Sequence, residues 1–247
     1  MATLRERRKQ CRMKKLMTKL GFGFGVTCML SLAVIFMSSG CGVKPADGGN
    51  VDLDSQMESE TIVEVTEEKE PDSMQIVMIG DMLMHERIVE SGLQEDGTYN
   101  FDHLFANVKD TIEAADFAIV NQETIMGGPS FGYTGYPSFN SPYELAHAEE
   151  KAGFDLLLLA TNHTLDKSGR GVVNCMEYLD EHLPELDYVG INHSQEEQDN
   201  DIYTYEANGI KVAVLNYTYG TNGIPLPEDK PYIVNLMDED KIRADIQ

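Results

Sequence analysis

Three apolar runs in the middle of the chain each lead into side chains that can bind metal ions or move protons. The runs are the segments 76–79 (IVMI), 117–120 (FAIV) and 154–160 (FDLLLLA). Asp81 follows the first run and Glu123 the second, while Asn162 and His163 follow the third. Carboxylate, amide and imidazole groups together suit divalent ions of the manganese, iron or zinc kind. The repeated position of these residues after an apolar run therefore predicts a metal site.

The apolar runs have the length of buried β-strands, and the segments between them have helical periodicity. Helices are expected over 101–115, 143–152, 168–183 and 238–247, a loop over about 126–142, and further strands near 187–191, 202–206 and 210–217. Alternating strands and helices indicate an α/β fold, and strands that are apolar on both faces indicate a sheet covered on each side. Because the loops beyond the carboxyl ends of such strands converge, the polar residues should meet at one edge.

Four stretches of the chain resemble one known family in both order and spacing. They are GDMLM (80–84), NQE (121–123), GFDLLLLATNHTLDKSGRG (153–171) and VLNYTYGTNG (214–223). The family is the bacterial CapA family of poly-γ-glutamate capsule-synthesis proteins, which have a calcineurin-like metallophosphoesterase fold. The resemblance covers about residues 74–247. It implies an α/β sandwich of two β-sheets flanked by helices, and we expect this sandwich to be incomplete at its C-terminus.

The resemblance also implies a site for two metal ions at the strand ends. Asp81 would be a ligand of the first ion, Glu123 the bridging carboxylate, and Asn162 a ligand of the second ion. Two such ions stabilise the attacking and leaving oxygens of a displacement and lower the pKa of a bound water to about 7.

The remaining residues of the implied site would handle protons and substrate. His163 would act as a general acid or as a hydrogen-bond donor to the transition state, and Asp166 could orient its ring. Asp166 is equally suited to the N-cap of the helix 168–183, since Asp is favoured there. Asn216 and Tyr217, at the end of a fourth strand candidate, are expected to contact the substrate.

Two features depart from the metallophosphoesterase pattern. Such enzymes usually carry Asp-x-His at the first motif, whereas position 83 is Leu, as the CapA family tends to have. The family also has later motifs that contain His, but residues 224–247 contain none. We therefore expect a first metal with one ligand fewer, and a sequence that is a piece of a longer protein.

The N-terminal segment has the pattern of an export signal. Residues 1–20 hold eight of the nineteen basic residues, and residues 20–40 carry no charge. Cys41 follows three small residues, as in bacterial lipoprotein signals, although the first of them stands where Leu is usual. Lipidation of Cys41, an uncleaved membrane helix and release of the body are all open. Each places the body outside the cytoplasm, because the positive end stays inside.

Three regions follow from this organisation. They are an anchor or signal segment (1–41), an acidic solvated linker (42–73) and the CapA-like domain (74–247). The chain beyond residue 20 has 11 basic and 41 acidic residues, a net charge of −30. A body this acidic repels phosphate backbones, so nucleic-acid binding is not expected.

Most of the other chemically reactive side chains are expected to be structural. With Cys41 lipidated, Cys175 has no disulfide partner and is interpreted as a small core residue. Five histidines outside the strand-end positions are interpreted as surface or structural residues: His85, His103, His147, His182 and His193.

Three functional hypotheses remain from the sequence. The first is a membrane-anchored, metal-dependent hydrolase or transferase that acts on an anionic surface polymer such as poly-γ-glutamate. The second is a non-catalytic subunit of a capsule synthesis and export complex, in which other membrane proteins of capsule synthesis would be partners; the Leu at position 83 favours it. A solute-binding lipoprotein is the third, and it would bind a small ligand without metal.

Overall fold

The computed structural model describes residues 72–200 and 202–247. The predicted anchor (1–41), including Cys41, and nearly all of the predicted linker lie outside the described residues. Among those that are described, no helix is both long and apolar enough to cross a bilayer.

A four-stranded parallel sheet forms the centre of the fold. Its strands are β1 (Ile76–Ile79), β2 (Phe117–Asn121), β3 (Leu156–Leu158) and β4 (Asp187–Val189). Their order across the sheet is the order of the chain, β1-β2-β3-β4, and every pair is parallel. The carboxyl ends of all four strands therefore lie at the same edge.

Seven α-helices occur in the described residues, mostly in the connections between strands. They are α1 (Glu86–Gly92), α2 (Asp102–Phe105), α3 (Lys109–Ala114), α4 (Glu144–Ala152), α5 (Ser168–His182), α6 (Gln195–Asn200) and α7 (Glu239–Ile246). The predicted helices over 143–152, 168–183 and 238–247 are thus confirmed. Within the long loop that follows β2, Pro129–Phe131 forms a single 3-10 turn.

A β-hairpin provides the second sheet. Strands β5 (Tyr203–Ala207) and β6 (Ile210–Val214) pair antiparallel. The two turn residues between them, Asn208 and Gly209, have φ values of +52° and +76°. Asn-Gly is the residue pair that best tolerates positive φ at both central positions of a two-residue hairpin turn.

The two faces of the parallel sheet are covered by different layers. Ala118, Val120 and Leu157 face the helices and join a core that includes the buried side of α5. The alternate residues face the hairpin: Phe117, Ile119, Leu156 and Leu158 form a second core with Tyr205 and Ala207. The arrangement is a sandwich of two sheets with helices on the outer face of the larger one, which confirms the predicted α/β class.

Aromatic stacking holds the hairpin against the larger sheet. The rings of Phe117 and Tyr205 are stacked with their centroids 4.0 Å apart and 8° between their planes. The Tyr205 hydroxyl also donates to the backbone carbonyl of Asp116 at 2.7 Å. A buried Tyr that satisfies its hydroxyl contributes its apolar area without an unpaired polar group.

Some sequence predictions about the core are confirmed and one is wrong. Cys175 is completely buried on α5, and burial raises the pKa of its thiol to about 12. The single helix predicted over 101–115 is divided into α2 and α3. Because of this break, Phe105 and Ile112 both face the core, while Val108 between them is 41% exposed.

Candidate metal site

Hydrogen bonds between loops bring the ends of β1 and β2 together. The backbone N–H of Met82 donates to the carbonyl of Asn121 at 2.9 Å, and the Thr124 hydroxyl donates to the carbonyl of Met82 at 3.1 Å. These bonds continue the contact between the strands beyond the sheet. Asp81 and Glu123, which lie in the joined segments, consequently face each other.

The side chains of Asp81 and Glu123 form a carboxylate pair at this edge. Burial raises the pKa of Glu123, and both the negative charge of Asp81 and a hydrogen bond between the two carboxyl groups raise it further. A positive charge on His163 acts in the opposite direction. Two carboxylates that share one site resist simultaneous ionisation unless a cation lies with them.

Asn121 is a site residue that the sequence predictions did not include as a ligand or contact. Its side-chain amide, at the last position of β2, donates a hydrogen bond to Oδ1 of Asp81. This bond fixes one oxygen of the Asp81 carboxylate. Its position at the end of β2, in the NQE stretch, is the sequence feature that could have identified it as a site residue.

A tight threonine turn brings the β3 loop to the carboxylate pair. The Thr164 hydroxyl donates to the carbonyl of Leu159 at 2.6 Å, and the backbone N–H of Thr161 donates to the Thr164 hydroxyl at 2.9 Å. The Thr161 hydroxyl then donates to the carbonyl of Glu123 at 2.7 Å. The turn after β3 thus holds Asn162 and His163 next to the loop that follows β2.

His163 and Asp166 form a nearly enclosed pair. Nδ1 of His163 lies 2.8 Å from Oδ2 of Asp166, and the same oxygen accepts the backbone N–H of Phe139 at 2.8 Å. The Phe139 ring packs edge-on against the imidazole, with ring centroids 4.7 Å apart. The loop that carries Phe139 thereby covers one side of the histidine.

Asp166 is not the N-cap of α5, the second role predicted for it. The N-cap of α5 is Lys167, and its side chain makes no capping hydrogen bond. Ser168, the first residue of the helix, has a φ of +59°. The Asp166 side chain is used instead by His163 and by Phe139, in keeping with the orienting role.

Asn222 is a second residue that the sequence predictions missed. Its Oδ1 accepts from Nδ2 of Asn162 at 3.3 Å, and its Nδ2 lies 3.4 Å from Nδ1 of His163. It comes from the loop after β6, about sixty residues further along the chain. The TNG sequence within the stretch 214–223 was its only signal.

The donors present fit a divalent cation in part. Asp81 and Glu123 supply carboxylate oxygens and Asn162 supplies an amide oxygen, which are ligands suited to hard divalent ions. Leu83, two residues after Asp81, offers no ligand atom. Within residues 72–200 and 202–247, no group of three or more His, Cys, Asp or Glu is arranged to hold a metal ion. The carboxylate pair is therefore the part of this edge best suited to a cation.

Asn216 and Tyr217 make contacts within the fold. Oδ1 of Asn216 accepts the backbone N–H of Ala160 at 2.6 Å, and the Tyr217 hydroxyl donates to Asp245 of α7. Both residues also line a cavity of about 140 Å³ beside β4, together with Tyr188. The lining of this cavity contains none of the carboxylate pair or His163. Their predicted contact with substrate stays a prediction.

Among the other histidines, His85 lies closest to the site. It is exposed, as expected, but its ring packs edge-on against Phe139 with centroids 5.2 Å apart. Phe139 thus separates His85 from His163. The remaining four histidines are exposed; His193, for example, pairs with Asp180 at 2.9 Å.

An α/β sandwich with carboxylate, amide and imidazole groups at the strand ends defines a metallophosphoesterase-like protein. Residues 75–247 match the sequence model of the family described as "Bacterial capsule synthesis protein PGA_cap". The chain belongs to this family, which confirms the resemblance found in the sequence.

A curated relative points in the same direction. The chain is 26% identical over 154 residues to the "Capsule biosynthesis protein CapA" of Bacillus anthracis. The matched region covers 61% of this chain and 36% of the relative, so the chain spans little more than a third of that protein's length.

Proposed function

We propose that this protein is a metal-dependent hydrolase or transferase of capsule synthesis that acts on an anionic surface polymer such as poly-γ-glutamate. The observation that carries the proposal is the contact between Asp81 and Glu123, with the His163–Asp166 pair beside them. Membership of the capsule synthesis family supplies the biological setting.

Different side chains would bind the metal ions and transfer the proton. Asp81, Glu123 and Asn162 would hold divalent ions of the manganese, iron or zinc kind, two in the full-length protein. Such ions, when bound, polarise a substrate oxygen and activate water. Asp166 holds His163 through Nδ1, which leaves Nε2 as the ring atom that, in the protonated imidazole, can give a proton to a leaving group.

Charge gives the cation a second role. Residues beyond position 20 carry a net charge of −30, so an anionic polymer is repelled by most of this surface. Divalent ions at the carboxylate pair reverse the field locally. On this proposal, polymer binding and catalysis both depend on the metal.

We further propose that the protein works at the outer face of the cell membrane, lipid-anchored through Cys41 or held by an N-terminal membrane helix. The sequence pattern of residues 1–41 supports this. Metabolic labelling with a fatty-acid probe tests the first form. Lipidation predicts that Cys41→Ala loses the label, whereas a retained membrane helix predicts no label in either protein.

One observation favours a second candidate function. Leu83 stands where metallophosphoesterases usually have a histidine ligand. A non-catalytic subunit of a capsule polymer synthesis and export complex needs no complete metal site. In that case the sandwich would serve as a scaffold for other membrane proteins of the complex.

Calorimetric titration of the purified full chain with Mn²⁺ separates these candidates. The enzyme proposal predicts saturable binding that is lost in the double variant Asp81→Asn, Glu123→Gln. It also predicts Mn²⁺-dependent cleavage of a model phosphodiester or amide, reduced by about 10²–10⁴-fold in His163→Ala. Wild-type protein that binds no Mn²⁺ at any pH supports the scaffold and defeats the enzyme proposal.

A further inference from the structure

Asn222 touches two residues of the site from a distant part of the sequence. Its Oδ1 accepts the Nδ2 hydrogen of Asn162 at 3.3 Å, and its Nδ2 contacts Nδ1 of His163 at 3.4 Å. Asn162 is the amide that the proposed function makes a metal ligand. An amide carries its oxygen and its nitrogen on opposite branches, so a partner that holds the nitrogen also decides where the oxygen is.

We propose that Asn222 is a positioning residue of the metal site, which orients Asn162 so that its Oδ1 is the atom presented to the cation. This inference rests on the proposed function, because it needs a metal at the carboxylate pair. Partners of this kind, one step removed from the metal, fix the orientation of a ligand and raise its affinity for the ion.

The hydrogen bond between Asn162 and Asn222 has one direction, because the Oδ1 of Asn222 can only accept. Nδ1 of His163 lies 2.8 Å from Oδ2 of Asp166, an acceptor, so the ring hydrogen belongs to that bond. The amide nitrogen of Asn222, 3.4 Å from Nδ1, finds no acceptor there and makes no hydrogen bond to the ring. Its oxygen remains for Asn162, which must act as the donor.

The backbone around Asn222 is shaped for this role. Asn222 has a φ of +52°, a conformation that Asn, Asp and Gly adopt most readily. The turn is closed by the buried Thr221, whose hydroxyl donates to the carbonyl of Ile224 at 2.5 Å. The N–H of Ile224 donates back to the carbonyl of Thr221 at 2.9 Å. Asn222 is thus presented at the tip of a fixed turn.

Three substitutions test the inference in the full chain, with Mn²⁺ as the probe. Asn222→Gly tolerates the positive φ but removes the acceptor. Asn222→Asp also tolerates it and keeps an acceptor, but cannot donate. Asn208→Gly is the matched control, because Asn208 has the same φ of +52° in the β5–β6 turn and bonds only to the carbonyl of Ser73 among the contacts described.

We expect Asn222→Gly to raise the Kd for Mn²⁺ by about 10- to 100-fold. Asn222→Asp should bind Mn²⁺ at least as tightly as wild type, and Asn208→Gly should be unchanged. Without metal, the side-chain amide resonances of Asn162 in ¹⁵N NMR spectra should move in Asn222→Gly and stay near their wild-type positions in Asn208→Gly.

Three results would overturn the inference while leaving the proposed function standing. They are wild-type affinity in Asn222→Gly, an affinity in Asn222→Asp as low as in Asn222→Gly, or an equal loss in Asn208→Gly. Wild-type protein that fails to bind Mn²⁺ would instead overturn the proposed function, and the inference with it.

Discussion

Nδ1 of His163 lies 2.8 Å from Oδ2 of Asp166, and their side chains are only 11% and 3% exposed. The carboxylate can only accept, so in the neutral imidazole the hydrogen must sit on Nδ1. The tautomer of His163 is therefore set by a residue three positions away in the sequence. The pair is the clearest piece of organised proton chemistry in the described residues.

Replacement of Asp166 should change that tautomer. We expect wild-type His163 to show the Nδ1–H form in long-range ¹H–¹⁵N NMR spectra, and Asp166→Ala to shift it toward the Nε2–H form. His193→Ala, which removes a histidine paired elsewhere with Asp180, serves as the spectroscopic control. An unchanged tautomer in Asp166→Ala would show that Asp166 does not orient the ring.

Metal affinity should depend on pH through Glu123. Burial and the neighbouring Asp81 raise the pKa of Glu123, so below that raised pKa its proton competes with a cation. The apparent affinity for Mn²⁺ should fall as the pH drops through that raised pKa, by up to about 10-fold per pH unit for one displaced proton.

Calorimetric titration at a series of pH values checks this dependence. In Glu123→Gln the remaining pH dependence should be shallower, because the competing proton is absent. An equally steep slope in that variant would assign the proton to another group.

Glu149 should make the fold less stable as the pH rises. Its carboxyl oxygens on α4 are completely buried and have no hydrogen-bond partner in the described residues, and burial raises its pKa well above the usual range. Above the unfolded-state pKa the unfolded chain releases this proton while the folded chain keeps it. The free energy of unfolding therefore falls with rising pH, by up to about 1.4 kcal/mol per pH unit, until the folded-state pKa is reached.

Urea unfolding of wild type and Glu149→Gln measures this effect. The neutral variant should gain stability relative to wild type as the pH rises above about 4.5, the ordinary pKa of Glu. The other carboxylates titrate in both proteins, so they cancel in the difference. A difference that does not change with pH would mean that Glu149 is ionised in the folded protein.

Gly190 should not tolerate a side chain. It has a φ of +97°, and a Cβ there would lie 2.2 Å from Oδ1 of Asn216 and 2.5 Å from the backbone nitrogen of Ala160. Those two atoms form the hydrogen bond that holds the end of β3. Gly190→Ala should cost more than the roughly 1–3 kcal/mol that backbone strain alone would cost.

Gly97→Ala is the matched control for this substitution. Gly97 has a similar φ of +84°, but a Cβ there would meet nothing within 4 Å. Urea unfolding should show a clearly smaller loss for Gly97→Ala than for Gly190→Ala. Equal losses would mean that the contacts with Asn216 and Ala160 do not matter.

The elements of the larger sheet could be predicted because their signal is local. Continuous apolar runs mark β2 and β3, since strands buried on both faces need apolar residues at every position. The apolar run of β1 also predicted a strand, although Ile76 and Met78 of this edge strand are exposed. The helix predicted over 101–115 failed because periodicity alone does not report a break. Its apolar spacing is satisfied by two short helices that bury Phe105 and Ile112 separately.

The candidate site was predictable only where its residues follow strands. Asp81, Glu123 and His163 were found by that position, and the structure brings them together. Asn222 lies in an exposed loop without periodicity, and its contact with Asn162 depends on where the fold places the loop after β6. No spacing rule within a single sequence connects residues about sixty positions apart.

The order of the strands has a consequence for how the domain is made. The spatial order of the strands in the larger sheet is the same as their order in the chain. During synthesis from the N-terminus, each new strand can therefore pair with the strand made just before it. The β5–β6 hairpin packs after the larger sheet has formed, since its aromatic side chains pack against that sheet. Each strand after β1 therefore finds its neighbour already synthesised, so assembly of the larger sheet can follow synthesis of the chain.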